Sequence, residues 1–305
     1  MANSKPQDGQ EAGGERRVVV TGIGAVTSLG CGVEGLWEGV CRARSAVGPI
    51  THFDPSPFAS RIAAEVRDFE PDGYLEGKAR RRLDRYSQFA VVASLQAVED
   101  AGLDLSREPA GRVGVCIGSA LGGAAFAEHE HAAYLESGTR AVSPMLALQM
   151  FVGAGSCCAA IALGLTGYST SNADSCASGP IAIGNAWHAI RRGDAEVMLA
   201  GGAEAPLAPL CFGAFSLIRA MSTRNADPGR ACRPFDRDRD GFVMAEGAAV
   251  LVLEECAHAL ARGARIYAEL IGYACTNDGY HMTAPRPDGS SAARAITQAL
   301  QVAAV

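Results

Sequence analysis

The 305-residue sequence is 48% hydrophobic and 20% charged, with a mean hydropathy of +0.08, the composition of a globular chain that can bury about three-quarters of its extended surface. A net charge of −6 and a pI near 5.6 argue against a protein that binds nucleic acid unaided. Ten cysteines form no disulfide framework by spacing, and no apolar signal segment precedes them, so the expectation is a cytoplasmic protein with reduced thiols, nine of them small buried hydrophobes.

Residues 1–16 are polar and glycine-rich and are expected to form a disordered tail. Residues 17–24 read as a strand running into a glycine turn. Gly22-x-Gly24 falls short of a dinucleotide fingerprint, because Thr27 stands at the third glycine position and no strand ending in an acid follows at the right distance. A short helix over 33–40, carrying Leu36, Trp37 and Val40, precedes a proline-marked irregular excursion over 45–75. Lys78, Arg80, Arg81, Arg82 and Arg85 then place five basic side chains in eight residues. A helix follows to about Asp100, with Leu83, Tyr86, Val91, Leu95 and Val98 on its apolar face and Gly102 as its stop. Positive charge is unfavourable at a helix N-terminus, so the patch points to an acidic partner.

Residues 112–118 form a second buried strand that enters a turn at 119–123. Glu128-His129-Glu130-His131 resembles a metal cluster, but side chains two apart do not share a helix face, and no metal is expected. The uncharged run 145–165 has the length of a bilayer span. Its Ala, Gly and Cys content, with Gln149, instead predicts a buried core helix, and adjacent Cys157 and Cys158 read as packing residues. A short strand over 167–171 leads into the stretch 171–180, in which Cys176 stands at a tight turn. The helix beyond has Pro180 in its first turn, Ile181, Gly184, Trp187, His188 and Ile190 at helical spacing, and Gly193 as its stop. A thiol there faces unpaired helix N–H groups and the positive end of the dipole, which suits a nucleophile. Residues 196–202 return as a buried strand. The run 236–241 mimics the opening of a calcium loop, but Gly247 stands where the bidentate acid belongs. A strand over 248–254, a helix over 256–263, a strand over 266–273, a polar loop over 277–285 bearing His281, and a helix over 290–302 complete the chain. Near-continuous apolar strands separated by helices predict an α/β fold with sheet covered on both faces.

Several stretches, in this order, resemble the β-ketoacyl-[acyl-carrier-protein] synthases of the type II condensing-enzyme group: VVVTGIGAVTSLG (18–30), GSALGG (118–123), DSCASG (174–179), GDAEVMLAGGAEAP (193–206), the block 222–254 containing RPFDRDRDGFVMAEG, and DGYHMTAP (278–285). The resemblance implies a thiolase-like layered αβαβα fold, with a first half over 17–255 and the opening of a truncated second half over 256–305. It implies that Cys176 carries the acyl chain as a thioester, that its N–H is one oxyanion donor, and that His281 is the first of two catalytic histidines. Leu121 matches a position lining the acyl tunnel, and Lys78, Arg81, Arg82 and Arg85 match the docking surface for acyl carrier protein. Substrates would arrive on the phosphopantetheine of that carrier, with no metal or soluble cofactor. A homodimer or a ketosynthase heterodimer is expected, with no membrane span. Two departures stand out: Ala245 replaces the usual glycine, and the family's second histidine, supporting lysine and Gly-Phe-Gly-Gly loop do not occur in this sequence. A non-catalytic ketosynthase-like partner subunit and a coenzyme A-dependent thiolase are the competing readings. Cys176 weighs against the first, and the 222–254 block and basic patch against the second.

Overall fold

The computed structural model of the chain describes residues 16–67 and 69–305, apart from the side chains of 72, 78 and 79. In chain order the elements are β1 (Val18–Thr27), β2 (Gly30–Cys31), α1 (Gly32–Cys41), β3 (Gly48–Pro49), β4 (Ile62–Ala63), α2 (Gly77–Arg80), α3 (Arg85–Asp100), β5 (Val113–Gly118) and α4 (Ala124–Ser137). They continue with α5 (Leu146–Gln149), α6 (Ala154–Leu163), β6 (Ser169–Thr170), α7 (Ser178–Arg192), β7 (Val197–Glu204), α8 (Pro209–Leu217), β8 (Gly247–Glu255), α9 (Cys256–Ala261), β9 (Ala268–Glu269) and α10 (Ser290–Ala303).

The main sheet has the order β2-β1-β8-β7-β5-β6, with β9 also on β1. β5, β6 and β7 run parallel, and β8 is antiparallel to both β7 and β1. Every residue of β5 is buried, which a strand with helices on both faces requires. On one face α3 and α6 close over Val115, Ile117, Leu199, Val250 and Val252. On the other, α7 packs Ala182, Ala186, Trp187 and Ile190 on Cys116, Met198, Ala200 and Leu253. Each of these large aliphatic side chains contributes roughly 1.5–3 kcal/mol by leaving water. The layered α/β fold is thus as expected.

The glycine pair of β1 has a packing role. A Cβ on Gly24 would lie 1.8 Å from the Ala93 carbonyl oxygen, and one on Gly22 would lie 2.2 Å from that of Ala97. The small face of α3 (Ala93, Ala97) and the adjoining Ala101 therefore rest directly on the β1 backbone. Asp84 accepts the Ser87 N–H and so starts α3 after the arginine run, which is split between α2 and the turn before α3.

A buried charged network ties β1, β8 and α9 together. Glu254 is fully buried and accepts hydrogen bonds from Thr21 Oγ1 and from Arg262 Nε (2.9 Å), while His258 Nδ1 lies at 2.8 Å and His258 Nε2 reaches Glu108 at 3.0 Å. Burial alone would raise the Glu254 carboxyl, but the donors from Arg262, Thr21 and His258 prevail and hold it below its ordinary value.

Several expectations need correction. The run 145–165 is two helices, α5 and α6, and among the described residues no helix is long and apolar enough to cross a membrane. The 167–171 strand contracts to β6, and the 266–273 strand to β9, because Leu270 and Tyr273 turn onto α7: Trp187 Nε1 donates to the Leu270 carbonyl at 2.8 Å. Trp37 and Val40 are exposed. Of the cysteines only Cys116 and Cys256 are buried; Cys158 and Cys211 are half-buried, and Cys31, Cys41, Cys157, Cys232 and Cys275 are exposed along with Cys176. The tail 1–15 lies outside the described residues, whereas Arg16 ion-pairs with Glu196.

The discarded metal motifs prove structural. Glu128 accepts the N–H groups of Leu210 (2.6 Å) and Cys211 (3.3 Å) at the start of α8, and Glu130 accepts the Ser143 N–H at 2.6 Å. Asp240 binds the Ser222 hydroxyl and the Thr223 N–H, closing the loop before β8. Among the described residues no cluster of three His, Cys, Asp or Glu could hold a metal ion.

Candidate active site

Cys176 lies in a single 3-10 turn, Ser175–Ala177, directly before α7. Ser175 is held at φ 53°, a left-handed conformation that costs a non-glycine residue roughly 1–3 kcal/mol and recurs at functional turns. The turn is fixed from both sides. Asn172 Nδ2 donates to the Ser178 carbonyl at 3.0 Å, and the Ser178 hydroxyl donates to the Ser119 carbonyl at 3.1 Å. The end of β5 comes so close that a Cβ on Gly118 would meet the Ser178 carbonyl oxygen at 2.4 Å. The small residues around the turn thus let two strand ends and a helix N-terminus converge on one thiol. Cys176 is exposed.

The thiol opens on a cavity of about 570 Å³ at the carboxyl ends of β1, β5 and β7 and the start of β8. Ligands of α/β sheets bind at such strand ends. Its walls include Val26, Leu121, Phe215, Phe242, Met244 and Glu204, so Cys176 and Leu121 share one largely apolar chamber. Phe215 and Phe242 meet edge to face at 5.8 Å, and behind them Phe53, Phe58 and Phe212 form an aromatic cluster that fastens the 45–75 excursion to α8.

His281 stands apart from this lining, exposed on its loop. Its Nδ1 accepts the N–H groups of Thr283 and Ala284, both at 3.1 Å, which leaves the ring proton on Nε2 as an outward donor. The segment leading to it is seated on the helix that follows Cys176. Tyr273 packs on Gly184 so tightly that a Cβ there would lie 2.2 Å from Tyr273 Cζ, and its ring meets His188 edge to face at 5.8 Å. Burial first, then its neighbour Cys275, pushes the Tyr273 hydroxyl up to about 12.

The basic run divides by role. Arg81 and Arg82 are exposed at the α2–α3 turn, and the Lys78 side chain lies outside the described residues. Arg85 turns inward. It donates to Glu246 at 2.8 and 2.6 Å and to the Val66 carbonyl at 2.6 Å, and its guanidinium stacks 4.7 Å from the Phe89 ring centroid. An arginine so engaged is a structural tie between α3 and Glu246, with its side chain half-buried.

Glu204 escaped sequence reasoning, although an acid closing an apolar strand was a visible signal. Its carboxylate accepts the Ala120 N–H at 2.7 Å, the Ser119 hydroxyl at 3.2 Å and the Leu121 N–H at 3.3 Å. Burial pushes it above its ordinary value.

Residues 15–259 match the family model "Beta-ketoacyl synthase, N-terminal domain", and residues 267–305 match "Beta-ketoacyl synthase, C-terminal domain". The chain is 45% identical over 287 residues to a 3-oxoacyl-[acyl-carrier-protein] synthase 2 of Synechocystis sp., covering 94% of this chain and 69% of that protein. A crystal structure of a beta-ketoacyl synthase from Burkholderia phymatum superposes with a TM-score of 0.86 at 38% identity, covering 95% of this chain and 71% of the other. The ketosynthase complex AntDE:AntF, a type II polyketide synthase acyl-carrier protein with its ketosynthase bound to the hexaketide, matches with a TM-score of 0.86 at 35% identity, covering 96% of this chain and 71% of the other.

Proposed function

The chain belongs to the beta-ketoacyl synthase family, and we propose that it catalyses the decarboxylative condensation of a malonyl thioester with an acyl group held on Cys176, in fatty acid or polyketide synthesis. The observation that carries this reading is the placement of Cys176 at the strained turn before α7, opening on a cavity of about 570 Å³ with apolar walls.

In the first half-reaction the Cys176 thiolate attacks the acyl carbonyl, and the carbon–sulfur bond to the carrier's phosphopantetheine breaks. The departing thiolate takes up the proton that Cys176 lost. The Cys176 N–H, at the turn before α7, is suited to donate to the developing oxyanion, and such donors act strongly in an apolar site. In the second, the malonyl group loses CO₂ and its electrons form an enolate. Nε2–H of His281 is suited to stabilise that enolate oxygen, because Nδ1 is already fixed as an acceptor. The enolate carbon attacks the thioester, the Cys176–acyl bond breaks, and the thiolate is regenerated with release of a 3-ketoacyl product. These steps use groups carried on phosphopantetheine and need no further cofactor.

Acyl carrier protein is the proposed partner, docking at exposed Arg81 and Arg82 with Lys78 beside them in sequence. Exposed Leu135, Leu148 and Ile161 suit pairing with a second ketosynthase subunit, and the cytoplasm is the proposed compartment. The organisation proposed is a first half over 17–255 and a second half beginning at 256.

The test separates the two steps. His281→Ala should leave acyl transfer to Cys176 intact and abolish CO₂ release from malonyl carrier protein. Unchanged CO₂ release in that variant would remove His281 from the mechanism.

A further inference from the structure

Glu204 closes β7 and forms part of the wall of the cavity shared by Cys176 and Leu121. Its carboxylate gathers the Ala120 N–H (2.7 Å), the Ser119 hydroxyl (3.2 Å) and the Leu121 N–H (3.3 Å), and the Ser119 oxygen in turn accepts the Gly122 N–H at 2.9 Å. Four consecutive residues, 119–122, therefore hang directly or through Ser119 on one side chain. On the far side the same loop lies against the backbone around α5. A Cβ on Gly123 would come 2.1 Å from the Gln149 carbonyl oxygen, and one on Gly122 would come 2.9 Å from Val152 Cα. The loop that carries Leu121 is thus clamped between a half-buried carboxylate and a helix backbone.

We propose that Glu204 is a positioning residue: by anchoring the 119–122 loop it fixes Leu121 in the cavity wall and so limits the acyl length that Cys176 accepts. The inference rests on the reading of Cys176 as the acylated residue. A carboxylate is suited to the task because its two oxygens accept several N–H and O–H donors at once, and hydrogen bonds to a charged group are the stronger kind. Glutamine at this position keeps the volume and, with its oxygen in the place of Oε2, the Ala120 and Ser119 bonds, but its amide nitrogen then faces the Leu121 N–H, donor against donor. Alanine removes the anchor and the volume together.

The experiment compares acylation of Cys176 by acetyl and dodecanoyl carrier-protein thioesters, followed by intact mass. Wild type, Glu204→Gln and Glu204→Ala are measured, with iodoacetamide alkylation of Cys176 as a check on thiol access. The dodecanoyl-to-acetyl rate ratio should rise roughly tenfold in Glu204→Ala, the factor that one hydrogen bond to a charged group represents. It should rise severalfold in Glu204→Gln, with alkylation unchanged. If only Glu204→Ala shifts the ratio, added volume explains the effect and the positioning role is overturned. An unchanged ratio in both variants overturns it as well. If Glu204→Ala does not fold, the isosteric Glu204→Gln decides on the same ratio. A wild-type Cys176 that accepts neither acyl group while iodoacetamide still labels it would defeat the underlying reading, and this inference with it.

Discussion

Replacing Arg262 by methionine removes the charge from the Glu254 network and keeps most of the side-chain stem. Glu254 is fully buried, and Arg262 is its closest cationic partner, with the arginine side chain 20% exposed. Removing one partner of a buried pair typically costs about 3–5 kcal/mol. Thr21 and His258 remain as donors, and the partly exposed arginine lets water approach, so the lower end, about 3 kcal/mol, is expected from urea unfolding at pH 7. The pH dependence has a definite sign. A carboxyl held below its unfolded value stabilises the fold above that value and loses the contribution as pH falls through the folded one. The gap between wild type and Arg262→Met should therefore be full above about pH 5 and close below the ordinary carboxylate range. Adding Glu254→Gln to Arg262→Met should recover much of the loss, since no buried charge is then left unpaired. A single-variant cost below about 1 kcal/mol, or a double variant as unstable as the sum of the singles, would refute the account of this network.

Gly24→Ala should destabilise by about 3 kcal/mol or more, because the new Cβ meets the α3 backbone on two sides and neither atom belongs to a flexible side chain; a wild-type urea midpoint would refute the close packing of β1 on α3. Gly184→Ala sets a clash with Tyr273, costing roughly 1–3 kcal/mol, against a gain of about 1 kcal/mol in helix propensity. Stability should fall by about 2 kcal/mol at most, while CO₂ release falls and acyl transfer survives; normal CO₂ release would show that Tyr273 does not position the His281 segment. Reversing Arg81 and Arg82 to glutamate should raise the apparent KM for carrier protein and flatten its salt dependence. Unchanged kinetics at low ionic strength would make these arginines ordinary surface.

The strands at the centre of the sheet were legible because β5, β7 and β8 are continuous apolar runs, and the turn at Cys176 was legible because strand, small residues and a first-turn proline lie in succession. Residues whose roles depend on distant partners were not. The sequence groups Arg85 with Arg81 and Arg82, but Glu246, 161 residues away, draws it inward. Glu128 reads as one of a histidine-rich quartet, yet its function is to cap α8, 82 residues on. The uncharged run 145–165 carried no period from which a break could be read, so α5 and α6 appeared as one helix. Exposed Cys157 and Cys275 illustrate a similar limit: hydrophobicity of residue type predicts burial only on average. Glu204 was missed because its partners come from the turn after β5, which sequence order places far from the end of β7.

The central claim is that Cys176 takes the acyl group, and six exposed cysteines make the site of modification a discriminating question. The protein should be incubated with an acyl carrier-protein thioester, digested, and the adduct mapped by mass spectrometry in wild type and Cys176→Ala. The account predicts one acyl group on the peptide containing Cys176 and none in the variant. An acyl group on Cys31, Cys157, Cys275 or another cysteine, retained in Cys176→Ala, would contradict it.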